Sequence, residues 1–523
     1  MGPTGGAEFG LGVAPGSWQA IYSRDARFDG RFFVGAATTR VYCRNVCPVP
    51  FARPRNIVLF ACAAAAEVAG YRPCKRCQPQ AAPGTPAWLG TSAVVNRAFR
   101  LILEGALNDG NVEDLAERMG LGSRQLRRLF VQHLGASPLK IATTHRVHLA
   151  RRLIDESKLP MTEIAFCSGF RSVREFNHAM RLSTGQSPTA MRRVAGTVRP
   201  PARTAGSAAR LGGLELRLPY REPFDWARLI GFLRERAIRG VEVVKAGSYQ
   251  RTIVIGGAPG ILTVRPDKAG SRLVVQLEAG SYEGLAQTVE RIRRIFDLGA
   301  DPIRIANHLS RDPGLRAVVK RHPGLRVPGV WDGFEAAVAA VLGQRLTVAG
   351  RRGAVERLVQ MFGTPMETPV RGLRYLFPQP EALVHGDLSR VGIVGASADA
   401  LRRLAVCAMK RQLSFATSRS LEEAVSQVDA VSGIDESTAQ YIAMRAFGEP
   451  DAFPAGEIRL RRRVAGAGRA APAAEAIRTA EAWRPWRAYA ALHLAGEVPR
   501  GCSWLSRGGR STSRWGGGRC GRG

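Results

Sequence analysis

Two rhythms of apolar residues divide the chain. Residues 91 to 193 read as wholly helical. Asn111-Val112-Glu113-Asp114 opens an amphipathic helix that ends at Gly120, and Ser123 to Phe130 starts a second, strongly basic one. The same order of helix, glycine turn and basic helix returns fifty residues on, with Met161 to Phe166, Ser168-Gly169-Phe170 and Ser172 to Arg181. After a linker at 194 to 213, rich in Pro, Arg, Gly and Ala, the period shortens to two. Leu214 to Leu218, Arg251 to Ile255 and Arg272 to Leu277 alternate like strands, Phe224 through Leu233 begins a helix, and another runs from Gly284 to Phe296. A further unit follows to about residue 496. At the front, Arg31 to Val34 reads as a strand and Ala61 to Ala69 as an Ala-rich helix, with a linker over Ala81 to Pro86. The expected architecture is multidomain and mainly α with α+β parts. Its units fall at 17–80, 91–193, 214–325 and 326–496, with a disordered basic tail at 497–523.

Composition narrows the partners. The 523 residues carry a formal net charge of +33, and 45% are hydrophobic, enough for several cores. So large a positive excess points to a polyanion, most simply nucleic acid. A membrane is not expected, because no run approaches the roughly eighteen apolar residues a spanning helix needs. The tail from Gly501 to Gly523 holds Arg507, Arg510, Arg514, Arg519 and Arg522 with no acidic residue. Loose nucleic-acid contact and plain solvated charge both fit it, and an altered reading frame at the gene's end would leave the same abrupt shift.

Nine cysteines are present, and four of them form two close pairs, Cys43 with Cys47 and Cys74 with Cys77. Four thiolates at that spacing can close a tetrahedral zinc site, which would fold a segment too small for a full core. Two disulfides would use the same residues, but nothing upstream resembles a secretory leader, so thiols are the expectation. A purely structural knuckle also satisfies the spacing. Cys62, Cys167 and Cys407 sit singly among apolar residues and read as buried thiols. Arg40, Arg44, Arg53, Arg55, Arg72, Lys75 and Arg76 surround the pairs and suit a phosphate track, or a solvated surface.

The stretches Thr38 to Arg44, Arg53 to Ile57 and Gly70 to Pro79 closely resemble the zinc domain of the bacterial adaptive-response (Ada) family. That resemblance implies that Cys43 accepts a methyl group from a DNA methylphosphotriester. A metal-held thiol is anionic at neutral pH and needs no general base. Four thiolates on one zinc ion carry a charge of about minus two, so methylating one lessens repulsion of phosphate and tightens DNA binding. The thioether does not revert, which implies one turnover per molecule.

The duplicated helical pattern, closed by Gly135-Ala136-Ser137-Pro138 and Gly185-Gln186-Ser187-Pro188, resembles the AraC-type DNA-binding domain. A helix-turn-helix places its second helix in the major groove, so Arg124, Gln125, Arg128, Arg174 and Asn177 are candidate DNA contacts. A plain bundle with solvated arginines is the bland alternative. A regulator of this kind implies promoter DNA and RNA polymerase as partners, in the bacterial cytoplasm at the nucleoid.

From Leu218-Pro219-Tyr220 and Phe224-Asp225-Trp226 to Trp483 through Ala490, the second half resembles the 3-methyladenine DNA glycosylase II family with its helix-hairpin-helix module. The resemblance implies flipping of an alkylated base and hydrolysis of its glycosidic bond. It places the phosphate-gripping turn at Val431 to Ala439 around Gly433, and the catalytic carboxylate at Glu457. Phe232 and Tyr441 fall in the base pocket, and Arg345 at the wedge that fills the vacated gap. Five positions depart from the pattern. Ser432 replaces proline, Asp435 glycine, Ser437 tryptophan, Glu457 aspartate and Ala495 tryptophan. Asp435 is expected to weaken backbone anchoring, by its charge and by removing freedom to take positive φ. Phe232 and Tyr441 fit equally well as core aromatics.

Three functions follow. One is an alkylation-response protein that combines irreversible methyl transfer, sequence-specific regulation and hydrolytic excision of 3-methyladenine-type bases. Another is an alkylation-sensing regulator whose glycosylase module only binds DNA. The blandest is a zinc-stabilised DNA-binding protein with no methyl transfer. Zn(2+) is the expected cofactor, and double-stranded DNA the expected partner.

Overall fold

The computed structural model describes residues 17–25, 28–74, 76–77, 79, 93–157, 159–196, 213–410, 412–413, 415, 420–465 and 470–495. Lys75, the linker at 81–86 and the tail at 497–523 lie outside the described residues, as does most of the linker at 194–213.

The N-terminal unit packs a short helix, α1 (Ser17–Tyr22), against a small sheet of β1 (Phe33–Ala36), β2 (Val41–Arg44), β3 (Ile57–Phe60) and β4 (Arg72–Pro73) in the order β3-β1-β2-β4. The first strand begins two residues later than the pattern suggests. Arg31 precedes it and pairs with Asp301, while Phe32 bridges to Asp29. β4 runs parallel to β2, and the Cys74 amide donates to the Tyr42 carbonyl at 2.9 Å, which carries the second cysteine pair alongside the first. An alanine-rich helix, α2 (Ala63–Val68), covers this sheet.

Helices α3 (Ala93–Leu103), α4 (Ala106–Asp109), α5 (Val112–Arg118), α6 (Ser123–Leu134), α7 (Pro138–Glu156), α8 (Met161–Cys167), α9 (Val173–Thr184) and α10 (Pro188–Gly196) follow. Local chemistry sets their ends. Asn111 and Asp114 close a reciprocal capping box at the start of α5, and Ser137 and Ser172 cap α7 and α9. Gly135 and Gly185 stop α6 and α9 at φ +71° and +72°, a conformation glycine adopts without a Cβ penalty. Leu126, Phe130 and Leu134 on α6, and Phe176 and Met180 on α9, turn their apolar faces inward and leave the basic faces outside.

The third unit is a five-stranded antiparallel sheet of β5 (Leu214–Pro219), β6 (Glu242–Lys245), β7 (Ser248–Ile255), β8 (Ala258–Pro266) and β9 (Arg272–Ala279), ordered β5-β9-β8-β7-β6. It is backed by α11 (Trp226–Arg236) and α12 (Leu285–Ile295). Then come α13 (Pro302–Leu309), α14 (Pro313–Arg321), α15 (Gly333–Gly343), α16 (Val348–Phe362), α17 (Pro380–His385), α18 (Ala396–Met409), α19 (Leu421–Asp429), α20 (Glu436–Ile442), α21 (Ile458–Val464), α22 (Ala473–Ala480) and α23 (Arg487–Ala495). These helices bury α15, whose sides are nearly all apolar. Cores cross the unit boundaries. One cluster joins β1 and β2 to α3, α5 and α6, and another joins α7, α8 and α9 to the five-stranded sheet. No helix among the described residues is long and apolar enough to cross a membrane.

Candidate metal centre and DNA-facing sites

The four paired cysteines meet at one end of the small sheet, and their Sγ atoms all lie within 4.8 Å of one another. Cys47, Cys74 and Cys77 are buried, while Cys43 is partly open to solvent. All four are free thiols, so the disulfide alternative is not what the fold holds. Crowding makes their joint ionisation costly. The hydrogen bond with Cys77, then burial and the neighbouring sulfurs, push the Cys43 thiol far up, and the same bond brings Cys77 down to about 6. A divalent cation relieves that conflict, and an all-sulfur set within reach of one centre fits zinc. The Arg44 amide also approaches the Cys77 Sγ at 3.4 Å.

Of the surrounding cations, Arg40, Arg72 and Arg76 are exposed, as are Arg53 and Arg55. Arg40 holds φ +53°, lies over the Tyr71 ring at 5.2 Å and donates to the Ala69 carbonyl at 3.3 Å. Arg44 is committed elsewhere. Its guanidinium forks onto the buried Asp29 carboxylate, at 2.9 Å from Nε to Oδ1, and its Nη1 reaches the Cys77 carbonyl at 3.3 Å. Asp29 was not legible as a partner, since fifteen residues and a turn separate the two.

In the helical unit Arg124, Gln125, Arg128 and Arg174 are exposed on the outer faces of α6 and α9, and Asn177 is half-buried. Each of these second helices is preceded by a tight turn at Gly120 or Gly169, both at positive φ. The arrangement leaves two similarly built basic faces on the outside of this unit.

The hairpin of the last unit joins α19 to α20. Gly433 takes φ +97° there, and an added Cβ would come within 3.0 Å of the Ala400 Cβ. Positive φ is therefore carried by Gly433 and not by Asp435, which is extended at φ −84° and caps α20 through Oδ1, accepting from the Thr438 amide at 2.7 Å. The expected loss of backbone freedom at residue 435 does not arise. Its carboxylate does sit on the N-terminus of α20.

Glu457 is 4% exposed and caps α21, its Oε2 accepting from the Leu460 amide at 2.6 Å. It lines an open cleft with Gln344, Asp435, Ser437 and Gly456, and neighbouring Arg345 is exposed. Tyr441 and Phe232 stand elsewhere. Tyr441 lines a second, narrower cavity between α11, α16 and α20, and its hydroxyl accepts from Arg445 Nη1 at 2.8 Å. The Phe232 ring carries the Arg236 guanidinium at 3.8 Å and that of Arg445 at 4.7 Å from its centre. Neither arginine stood out in the sequence among so many basic residues. The structure thus brings the four cysteines together, sets the helix-turn-helix residues on two outer faces, and leaves the carboxylate and Tyr441 in different cavities.

A thiolate metal centre, a duplicated helix-turn-helix and a hairpin-bearing helical module on one chain define a multidomain DNA-binding protein. Three family models match: the metal binding domain of Ada over residues 16–80, a helix-turn-helix domain over 115–194 and the AlkA N-terminal domain over 215–332. The chain is 39% identical over 479 residues to the Mycobacterium tuberculosis "Probable bifunctional transcriptional activator/DNA repair enzyme AlkA", covering 91% of this chain and 95% of that protein. It belongs to that family of bifunctional activator and repair proteins. It is also 32% identical over 280 residues to Escherichia coli DNA-3-methyladenine glycosylase 2, covering 53% of this chain and 95% of the other. To the Escherichia coli bifunctional transcriptional activator/DNA repair enzyme Ada it is 31% identical over 147 residues, covering 28% and 40%.

Proposed function

We propose that this chain is a DNA-alkylation response protein that takes methyl groups from DNA methylphosphotriesters onto Cys43, regulates promoters through its helix-turn-helix pair, and excises alkylated bases with its C-terminal half. The observation that carries it is the set of four sulfurs within 4.8 Å of one another, with Cys43 the one partly open to solvent. Cys43, Cys47, Cys74 and Cys77 would hold zinc, which when bound supplies the charge that keeps their sulfurs anionic. The Cys43 Sγ attacks the methyl carbon of the triester. A sulfur–carbon bond forms, the carbon–oxygen bond breaks, and the backbone is left as an ordinary phosphodiester anion. Exposed Arg40, Arg72 and Arg76 steer the phosphate, while Arg44 holds Asp29 and so braces the loop behind the sulfurs. Arg124, Gln125, Arg128, Arg174 and Asn177 read or grip promoter DNA, with RNA polymerase as the further partner at the nucleoid. Glu457 supplies the carboxylate for base excision.

The test is mass spectrometry of the intact chain after incubation with methylphosphotriester DNA. One added methyl group on Cys43, absent in Cys43→Ser, is the expected result; an unchanged mass would remove methyl acceptance.

A second reading is favoured by one specific observation. Arg236 and Arg445 cover the Phe232 and Tyr441 faces on which a cationic base would stack, and Glu457 opens into a different cleft. On that reading the C-terminal half binds damaged DNA without cutting it. Counting abasic sites in 3-methyladenine DNA separates the two, because release that disappears in Glu457→Gln belongs only to the enzyme.

A further inference from the structure

The cavity beside Tyr441 is lined by five arginines and two glutamates, and both glutamates are spent on one of the five. Arg251 pairs with Glu335 at 2.9 Å and with Glu242 at 3.4 Å. Among the described residues, neither of these carboxylates pairs with the other four arginines. Arg445, 5% exposed, donates to Tyr441 and to the carbonyls of Pro328 and Gly329. Arg351 is 7% exposed on α16. Arg236 reaches across from α11 and, among the described residues, pairs only with the exposed Glu235, at 3.3 Å.

Buried cations without counter-charge are costly, and a fold retains them where something else supplies the charge. Guanidinium groups from three different helical segments converge here, a fork geometry that suits an oxyanion better than a spherical halide. Arg445 stands on a π-helical turn over Ala443–Phe447, a local distortion that recurs at binding sites.

We propose that this cavity is a binding site for a phosphate-class oxyanion, held by Arg236, Arg351 and Arg445 with the Tyr441 hydroxyl. The site lies apart from the Glu457 cleft, so the proposal holds whether or not the chain cuts glycosidic bonds. Burial pushes the Tyr441 phenol up, but Arg445, Arg236 and Arg351 outweigh it and bring it down to about 8. Tyr441 therefore reports on its own pocket, because a bound anion offsets the guanidinium charge and returns the phenol toward its usual range.

The experiment titrates the full chain with inorganic phosphate at constant ionic strength, against chloride as control, and follows heat and the ultraviolet absorbance of tyrosinate. Expected is one phosphate per chain whose binding moves the tyrosinate midpoint to higher pH, an absorbance change lost in Tyr441→Phe. Arg351→Gln should weaken that binding roughly tenfold or more. Equal responses to phosphate and chloride in the unaltered chain overturn the proposal, as does undiminished binding and absorbance change in a folded Arg351→Gln. If that variant does not fold, the unaltered chain alone decides. Adding duplex DNA identifies the source. Displacement of the phosphate with the tyrosinate shift retained assigns a DNA phosphate to the site, and joint binding assigns the free ion.

Discussion

Glutamate at residue 457 is one methylene longer than the aspartate of the family pattern, and the structure shows where the extra length goes. The side chain folds back onto α21 and accepts the Leu460 amide, which is ordinary capping geometry. Aspartate is among the best capping residues, so Glu457→Asp should leave thermal stability within about 0.5 kcal/mol while raising the rate of abasic-site formation. A fall in that rate would show that the longer arm is itself the working geometry. Glu457→Ala should cost about 1 kcal/mol through the lost cap, read as a lower melting temperature, and abolish excision. His493 sets a different single-residue signature. Burial, reinforced by Arg228 and His322, holds its imidazole down to about 3. A folded-state value below the unfolded one means that its contribution is present above pH ~6.5 and is lost as pH falls toward 3. At pH ~5 the loss is about 2 kcal/mol, and His493→Leu should remove that part of the pH dependence of unfolding by denaturant.

At the scale of elements, the proposed DNA-phosphate contact at the α19–α20 hairpin would meet Asp435, whose carboxylate already accepts the Thr438 amide. Removing the charge with Asp435→Asn keeps a capping side chain. It should raise duplex affinity roughly fivefold at low salt, the factor that corresponds to about 1 kcal/mol of charge repulsion, and the gain should shrink as salt rises. Fluorescence anisotropy with labelled duplex measures it; unchanged affinity would mean that this turn does not face the backbone. The same hairpin shows what the sequence made legible. Helix ends at Asn111, Ser137, Ser172, Gly135 and Gly185 rest on interactions spanning three or four residues, and such local chemistry can be read from the chain. So can the metal centre, because two close cysteine pairs need only one loop to meet. Strands β6 and β8 were missed, since β6 is only the four residues Glu242 to Lys245 and β8 opens on Ala258-Pro259-Gly260, so neither carries a clean alternation. Which arginine pairs with Asp29, and which two cover Phe232, depends on packing between distant segments, and no periodicity records it.

At the scale of the whole molecule, the units are tied together by buried charge as well as by shared cores. On the metal side, Glu67 of α2 accepts from Tyr42 at 3.1 Å, from Thr144 at 2.9 Å and pairs with Lys140 at 3.1 Å, which links the strand that carries Cys43 to the long helix α7. At the other end, Glu449 of the C-terminal half is 1% exposed and takes a two-pronged contact from Arg97 of α3, at 2.9 and 3.2 Å, with Arg100 at 3.5 Å. Breaking a buried pair from one side strands the other charge and typically costs about 3–5 kcal/mol, while replacing both partners by apolar groups is often neutral. Glu449→Ala should therefore split the calorimetric unfolding of the chain into two transitions, with the helix-turn-helix side melting first. The double variant Arg97→Met with Glu449→Leu should bring the transitions back together. If Glu449→Ala unfolds as the unaltered chain does, the contact is incidental to how the halves are joined. If the double variant stays split, Arg100 or a specific geometry, and not the stranded charge, holds the interface.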